Sequence, residues 1–336
     1  MDPAIQSALI GASTAIVLPM IKEIVVHFVK HDHAQKARIK SLTERYTHPL
    51  GMSAVSMFYR LHEMIELKRF DYLDETTRTN DFNNYKYISS IYRLASLIGW
   101  IRALELESSH LIQDGNSKRE RIIAVVSDFK KALADGPHAE VDIIQNLGKL
   151  WNIHLPKDEN DLHRIANKCD QVRNFTLTNE SVKGIKPDDS TEAIKLVMQT
   201  LCSANNSEMI SDEILSETCA RAINILTPKQ CWIYRDWQNA IGDEMLVKAQ
   251  TPIRDFDVIG YGAFEKLYKK NNIWVKRTER VFSNVNFDIK QNDYRPDQLT
   301  TILKETAKLL IEIDKWDIAS KPFTDETIKL AKKYVS

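Results

Sequence analysis

An N-terminal stretch of 18 residues without a charged side chain, Ala4–Ile21, constrains this chain more than any other feature. An α-helix rises about 1.5 Å per residue, so the stretch would be about 27 Å long as a helix. A bilayer's hydrocarbon core is about 30 Å thick, which makes this length marginal for a span. Lys22 and Glu23 interrupt the stretch before apolar residues continue to Val29. We predict a single transmembrane helix within residues 1–33, with an interfacial helix or a buried soluble helix as alternatives.

The charges beside this stretch predict its orientation. Only Asp2 precedes it, whereas basic residues follow it at Lys22, Lys30, Lys36, Arg38 and Lys40. The positive-inside rule therefore places the N-terminus outside an inner (cytoplasmic) membrane and the large body in the cytoplasm. Four scattered cysteines without a CxxC pair fit the same reducing compartment.

The polar and small residues of the stretch are regularly spaced. Gln6 and Ser13 are seven residues apart, as are Ser7 and Thr14, so these side chains share one helical face. Gly11 stands four residues after Ser7 in a row of small residues, which lets helices approach closely in lipid. A lone anchor needs no polar face, so we predict that several copies pack together and line a pore.

The rest of the chain has the periodicity of helices. Only ten glycines and ten prolines occur in 336 residues, which favours long helices over many-turned β architecture. One apolar stripe has spacings of three and four and comprises Ile88, Ile91, Leu94, Ala95, Ile98, Ile101 and Leu104. The predicted fold class is all-α: the N-terminal helix, then a mostly helical cytosolic body. The body is expected to form two lobes, at residues 34–178 and 191–336, joined by the polar segment 179–190.

Three local patterns complete the structural prediction. Thr227 and Pro228 have the residue types of a helix N-cap and first turn, which predicts a helix over Lys229–Ala249. Residues 282–289, FSNVNFDI, have the alternation of a short strand. Residues 258–264, VIGYGAF, contain the GYG of potassium-channel filters, but charged flanks instead predict a turn that opens a helix.

Arginines and aromatic residues occur together in two segments. Residues 231–245 contain Arg235 between Tyr234 and Trp237, and the second segment contains Trp274, Lys276, Arg277 and Arg280. Aromatic rings can stack on bases while guanidinium groups bind phosphates. We predict that Arg235 and the four residues of the second segment bind an anionic ligand, a nucleotide or oligonucleotide. The alternative is that the tryptophans belong to the core and the arginines to ion pairs.

The chain contains no motif that predicts catalysis. The P-loop, the GxSxG nucleophile elbow and the GxGxxG dinucleotide motif are all missing from the sequence. His27 and His31 share a helical face, but no acidic or cysteine partner is placed to complete a zinc site. We therefore predict a non-enzymatic protein without a metal or cofactor, although a dispersed active site would leave no local motif.

An N-out span followed by a large helical cytosolic body resembles bacterial anti-phage effectors that depolarise the membrane. The architecture is most similar to the Hailong effectors, whose channel is gated by a DNA oligomer. The resemblance implies a homo-oligomeric ion channel in the bilayer, gated by a cytosolic sensor of an anionic ligand. It rests on the N-terminal stretch and the helical body, so no residue roles are carried over. A membrane-anchored scaffold or adaptor, and a soluble helical binding protein, are the alternative functions.

Overall fold

The computed structural model describes residues 45–108, 117–134, 139–177, 187–250, 254–288, 293–315 and 321–335. This part of the chain is mostly helical, which confirms the all-α class. The first helix, α1, covers residues 45–65 of the described chain. The helices that follow are α2 (Asp81–Ser108), α3 (Ser117–Ala134), α4 (Ala139–Trp151), α5 (Glu159–Leu177), α6 (Pro187–Ala204), α7 (Asp212–Leu226), α8 (Arg235–Met245), α9 (Tyr261–Lys269), α10 (Ile273–Glu279), α11 (Arg295–Asp314) and α12 (Asp325–Lys332).

One small β-ribbon accompanies these helices. Strand β1 (Leu246–Lys248) pairs antiparallel with β2 (Phe256–Val258), with Leu246 opposite Val258. The predicted strand at residues 282–289 is wrong over its described residues, which form turns and bends. The backbone N–H of Ser283 donates to the carbonyl of Glu279 at 3.0 Å, so this segment continues the turn after α10.

The larger hydrophobic core is built from α1, α2 and α3 together with α8 to α12. Helix α2 crosses it, packed along α8, while α3 packs along α11. The predicted stripe on α2 is confirmed: six of its seven residues are buried, and Leu104 is partly buried against the same core. Apolar periodicity alone therefore identified the buried face of the longest described helix.

A second hydrophobic core joins α4, α5, α6 and α7. Within it, the indole Nε1 of Trp151 donates to Thr218 Oγ1 at 2.9 Å, which ties α4 to α7. This grouping differs from the predicted lobes 34–178 and 191–336. Helix α5 precedes the polar segment 179–190 and α6 begins within it, at Pro187. The two helices pack against each other, so both belong to one core.

The connection from α7 to α8, residues 227–234, is not helical. The predicted helix over Lys229–Ala249 is wrong at both ends, because α8 covers only Arg235–Met245 and strand β1 follows it directly. Thr227 is instead the C-cap of α7, and its backbone N–H donates to the Ile223 carbonyl. Backbone groups of this connection form hydrogen bonds with residues far away in the sequence. The Ile233 N–H donates to the Leu133 carbonyl at 2.8 Å, and the Lys229 carbonyl accepts the Tyr294 N–H at 2.9 Å. These long-range bonds hold the backbone away from helical dihedrals.

The VIGYGAF segment opens a helix, as predicted. Gly260 is the N-cap of α9, and its carbonyl accepts the backbone N–H groups of Ala263 and Phe264 at 3.1 Å. The Phe264 side chain is fully buried in the larger core, and Leu267 packs against that core.

Among the residues that the structure describes, none of the helices combines the length and apolarity needed to cross a membrane. The predicted transmembrane and oligomerisation helix, with Gln6, Ser7, Gly11, Ser13 and Thr14, lies outside the described residues.

Candidate ligand-binding surface on helices α8 and α10

Helix α10 is fixed at its start by Asn272. The Asn272 side-chain oxygen accepts the backbone N–H groups of Trp274 at 2.9 Å and Val275 at 3.3 Å, which caps the helix. The Asn272 amide nitrogen donates to Glu244 Oε1 on α8 at 2.9 Å. One side chain thus starts α10 and ties it to α8, which sets how the two helices face each other.

Arg277 and Trp237 stack across these helices. The guanidinium carbon of Arg277 lies 3.5 Å from the ring centroid of Trp237 and 5.4 Å from that of Trp274. A cation–π contact of this kind is worth about 0.5–2 kcal/mol, depending on its exposure to water. The guanidinium therefore contacts one indole closely and lies near a second, and the sequence places these two tryptophans 37 residues apart.

The side-chain nitrogens of Arg277 have no hydrogen-bond or ion-pair partner in the described chain. Its Nε is buried without a hydrogen bond, and its guanidinium makes no ion pair with a described residue. A stacked guanidinium is pre-organised, since its fork of N–H groups already has a fixed direction. Arg277 can therefore bind an oxyanion with little further loss of side-chain freedom.

Arg280 adds a second cation at the end of α10. It is the C-cap residue, its side chain is exposed, and no described acidic residue pairs with it.

Burial raises the pKa of the Cys231 thiol to about 12, although the charges of Arg295, Arg280 and Arg277 lower it. The thiol therefore stays protonated at neutral pH and is no nucleophile.

Lys276 serves an internal network. Its ammonium lies 2.7 Å from Glu279 Oε2 and 4.6 Å from the ring centroid of Tyr268. Glu279 also accepts the hydroxyls of Tyr268 at 2.7 Å and Tyr87 at 3.1 Å. Burial, followed by the interaction with Glu279, raises the pKa of both tyrosines, so they stay protonated donors. Lys276 is therefore already neutralised, unlike Arg277 and Arg280.

Arg235 faces a different part of the molecule. It is the first residue of α8, and it lines a cleft of about 230 Å³ whose apolar wall comes from α2 and α3. Trp237, two residues later, contacts Arg277. Residues at i and i+2 point to different sides of a helix. The structure therefore groups Arg277, Arg280 and Trp274 but separates Arg235 from them.

Two aromatic residues complete the surface. Tyr234 is 54% exposed as a residue, and its ring meets Trp237 edge-on, with 5.0 Å between ring centroids. The sequence marked both residues only as neighbours of Arg235. We define the α8–α10 surface as Tyr234, Trp237, Trp274, Arg277 and Arg280. No sequence signal connects its two halves, because only the packing of α10 against α8 brings them together.

Within the described ranges, no three histidine, cysteine, aspartate or glutamate side chains are close enough to hold a metal ion. The α8–α10 surface carries only cationic and aromatic groups, which suit an anion. Neither the protein-family models, nor the curated protein sequences, nor the solved structures contain a match to this chain.

Proposed function

We propose that the helical body senses a nucleotide or oligonucleotide, which it binds at the α8–α10 surface. The observation that carries this proposal is Arg277, whose guanidinium stacks on Trp237, lies 5.4 Å from the ring centroid of Trp274, and has no hydrogen-bond or ion-pair partner among the described residues. A phosphate would accept from its terminal nitrogens, and charge-assisted bonds of this kind are the strong ones. Exposed Tyr234 offers a ring to a base, and Arg280 offers a second cation.

The proposal extends to the whole chain. The N-terminal helix would place a homo-oligomer in the cytoplasmic membrane, with its N-terminus outside and the sensor inside. Its polar face, Gln6, Ser7, Ser13 and Thr14, would line an ion-conducting pore, and Gly11 would allow close packing. Ligand binding would gate this pore in anti-phage defence. What supports this part is the uncharged stretch, its polar face and the basic residues after it.

Arg277→Gln should weaken binding of a labelled eight-nucleotide thymidine oligomer, or of ATP, by about tenfold or more, because the phosphate loses its charged partner. Arg277→Lys should lie between the two, since lysine keeps the charge but not the stacked fork. Fluorescence anisotropy at about 50 and 200 mM salt measures the affinity. With two phosphate contacts, wild-type binding should weaken by about sevenfold over this range.

The matched control is Arg221→Gln, which removes the same charge from an exposed arginine of α7 in the other core. It should change the affinity by less than about twofold, since a distant charge is screened. Circular dichroism verifies that each variant is folded. Failure of the wild type to bind either probe, or wild-type affinity in Arg277→Gln, would contradict the proposal.

The full-length chain should sediment with membranes and resist extraction by alkaline carbonate. Ile10→Arg combined with Val17→Arg should release it, because each arginine inside the hydrocarbon costs about 2.5–3.5 kcal/mol on insertion scales. Immunoblots of the two fractions measure the distribution. Ile10→Leu with Val17→Leu is the matched control and should stay with the membrane. A wild-type chain found in the supernatant would support the alternative of a soluble binding protein.

A further inference from the structure

A second group of cations lies between α1 and α2 and has no residue in common with the α8–α10 surface. On the first half of α2, Phe82, Lys86 and Arg93 recur at helical spacing, and Tyr85 stands beside them. Phe82 is 66% exposed and Tyr85 is 47% exposed, so the outer end of this stripe faces solvent. The Lys86 ammonium lies 5.8 Å from the ring centroid of Phe82. Cationic and aromatic groups are therefore adjacent here as well.

One carboxylate serves this group of cations. Glu63 on α1 accepts from Lys86 through Oε1 at 2.7 Å and from Arg60 through Oε2 at 3.1 Å. Burial raises the pKa of Glu63, but the hydrogen bond from Lys86 and the charge of Arg60 outweigh it and leave the pKa below its usual value. The carboxylate is thus ionised at neutral pH, and both of its oxygens are already used.

Arg93 is left without an anion. Its Nη1 donates to the backbone carbonyl of Ser56 at 2.8 Å, and no described carboxylate pairs with it. Burial lowers the pKa of Arg93, and the nearby charge of Arg60 lowers it further. The charges of Tyr85, Glu63 and Tyr72 act in the opposite direction, but burial and Arg60 outweigh them, so the guanidinium is partly desolvated and its charge is not fully compensated. A half-buried cation in such a place is ordinarily compensated by a negative group.

The buried side chain of Arg60 adds a third positive charge near Lys86 and Arg93. It is only 4% exposed, it donates to Tyr72 Oη at 3.3 Å, and its Nε has no hydrogen-bond partner in the described chain. The cluster of Arg60, Lys86 and Arg93 thus carries three positive charges against the one negative charge of Glu63. The excess of two equals the charge of a phosphate dianion.

We propose that this cluster, which we call the α1–α2 cluster, binds the phosphate of a small organic phosphate whose ring or apolar part lies on Phe82 and Tyr85. Arg93 supplies a cation without an acidic partner in the described chain, and the Lys86 ammonium, 5.8 Å from the Phe82 ring centroid, places the phosphate beside that ring. Arg60 acts through its charge from inside. The site shares no residue with the α8–α10 surface, so it stands or falls independently of the function proposed above.

The test uses phenyl phosphate and inorganic phosphate with the full-length protein. Isothermal titration should show phenyl phosphate binding that weakens by about tenfold in Arg93→Gln, since one charged donor is lost. Phe82→Ala should weaken phenyl phosphate binding but leave inorganic phosphate binding unchanged, which a merely structural role of Phe82 would not produce. Saturating phenyl phosphate should also raise the thermal midpoint, whereas sodium chloride at equal ionic strength should not.

Arg102→Gln is the matched control on the same helix, because Arg102 is neutralised by Asp243 at 2.7 Å. It should bind phenyl phosphate within about twofold of wild type, as expected for a screened surface pair. Arg277→Gln must also retain phenyl phosphate binding, which separates this cluster from the α8–α10 surface. Wild-type affinity in Arg93→Gln, loss of binding only in Arg277→Gln, or equal stabilisation by chloride would each overturn the inference.

Discussion

Arg295→Met should lower the free energy of unfolding by about 3–5 kcal/mol, the usual cost of leaving one member of a buried ion pair uncompensated. The side chains of Arg295 and Asp293 are each 7% exposed and pair through Nη2 and Oδ2 at 2.7 Å. Arg295 Nε also donates to Asp293 Oδ1 at 2.8 Å, so the pair is bidentate. Urea denaturation monitored by circular dichroism measures the loss.

Arg295 also organises the turn that follows α10. Its Nη1 donates to the backbone carbonyls of Arg280 at 3.1 Å and Ser283 at 2.6 Å. Replacement by methionine leaves these half-buried carbonyls without their donor, which adds to the cost of the unpaired Asp293. The turn carries Arg280 of the α8–α10 surface, so the stability of this core pair and the shape of the candidate site are connected.

Two further variants separate the ion pair from general disruption. The double variant Arg295→Met with Asp293→Leu should recover part of the lost stability, because no unpaired charge remains buried. Arg164→Met breaks an ion pair that is 2.9 Å long but about half exposed on both sides, and it should cost less than about 1 kcal/mol. A loss of less than about 1 kcal/mol in Arg295→Met would contradict the prediction, because it would mean that water or another group compensates the charge of Asp293.

Gly242→Leu should destabilise the protein by about 1–3 kcal/mol or more, the range observed for overpacked cores. Helices α2 and α8 approach so closely at Gly242 that an added Cβ would lie 2.5 Å from Cβ and 2.8 Å from Cγ of Arg102. These atoms are the fixed start of the Arg102 side chain, so the helices themselves must move apart. Thermal denaturation measures the shift of the midpoint.

Gly262→Ala is the control for this substitution. Gly262 lies in α9, it is exposed, and nothing stands within 4 Å of its added Cβ. Alanine should therefore stabilise the protein by up to about 1 kcal/mol, through its higher helix propensity and the smaller entropy of the unfolded chain. Equal effects of the two substitutions would show that the crossing of α2 and α8 is not tight at Gly242.

Local patterns predicted the helices well where the determining contacts lie close in sequence. The α2 stripe needed only spacings of three and four, and the start of α9 needed only Gly260 before an apolar helix. The prediction failed at Thr227 and Pro228, whose residue types fit an N-cap equally well. The Thr227 N–H instead caps the end of α7, and Lys229 forms a bridge with Asp293. Competing partners far along the chain decided that segment.

For the candidate site, too, the sequence predicted some residues that the structure brings together and included others that lie elsewhere or are already neutralised. The sequence identified Trp274, Arg277 and Arg280 by composition, but it could not separate Lys276, which Glu279 neutralises, from the unpaired arginines. It also grouped Arg235 with them, although Arg235 faces the cleft between α2 and α3. The sequence did not predict the α1–α2 cluster, because its cations come from two different helices. Only the packing of these helices shows that Arg60 and Lys86 share one carboxylate, Glu63.

The sequence by itself determined that the described chain is mostly helical and which face of α2 is buried. Helical periodicity and composition are local properties, so they can be read without a fold. Only the tertiary structure decided that α5 and α6 share one core, that Gly242 is a point of close approach, and that Trp237 stacks on Arg277. These outcomes depend on distances between residues that are far apart in the chain, and packing of side chains sets those distances.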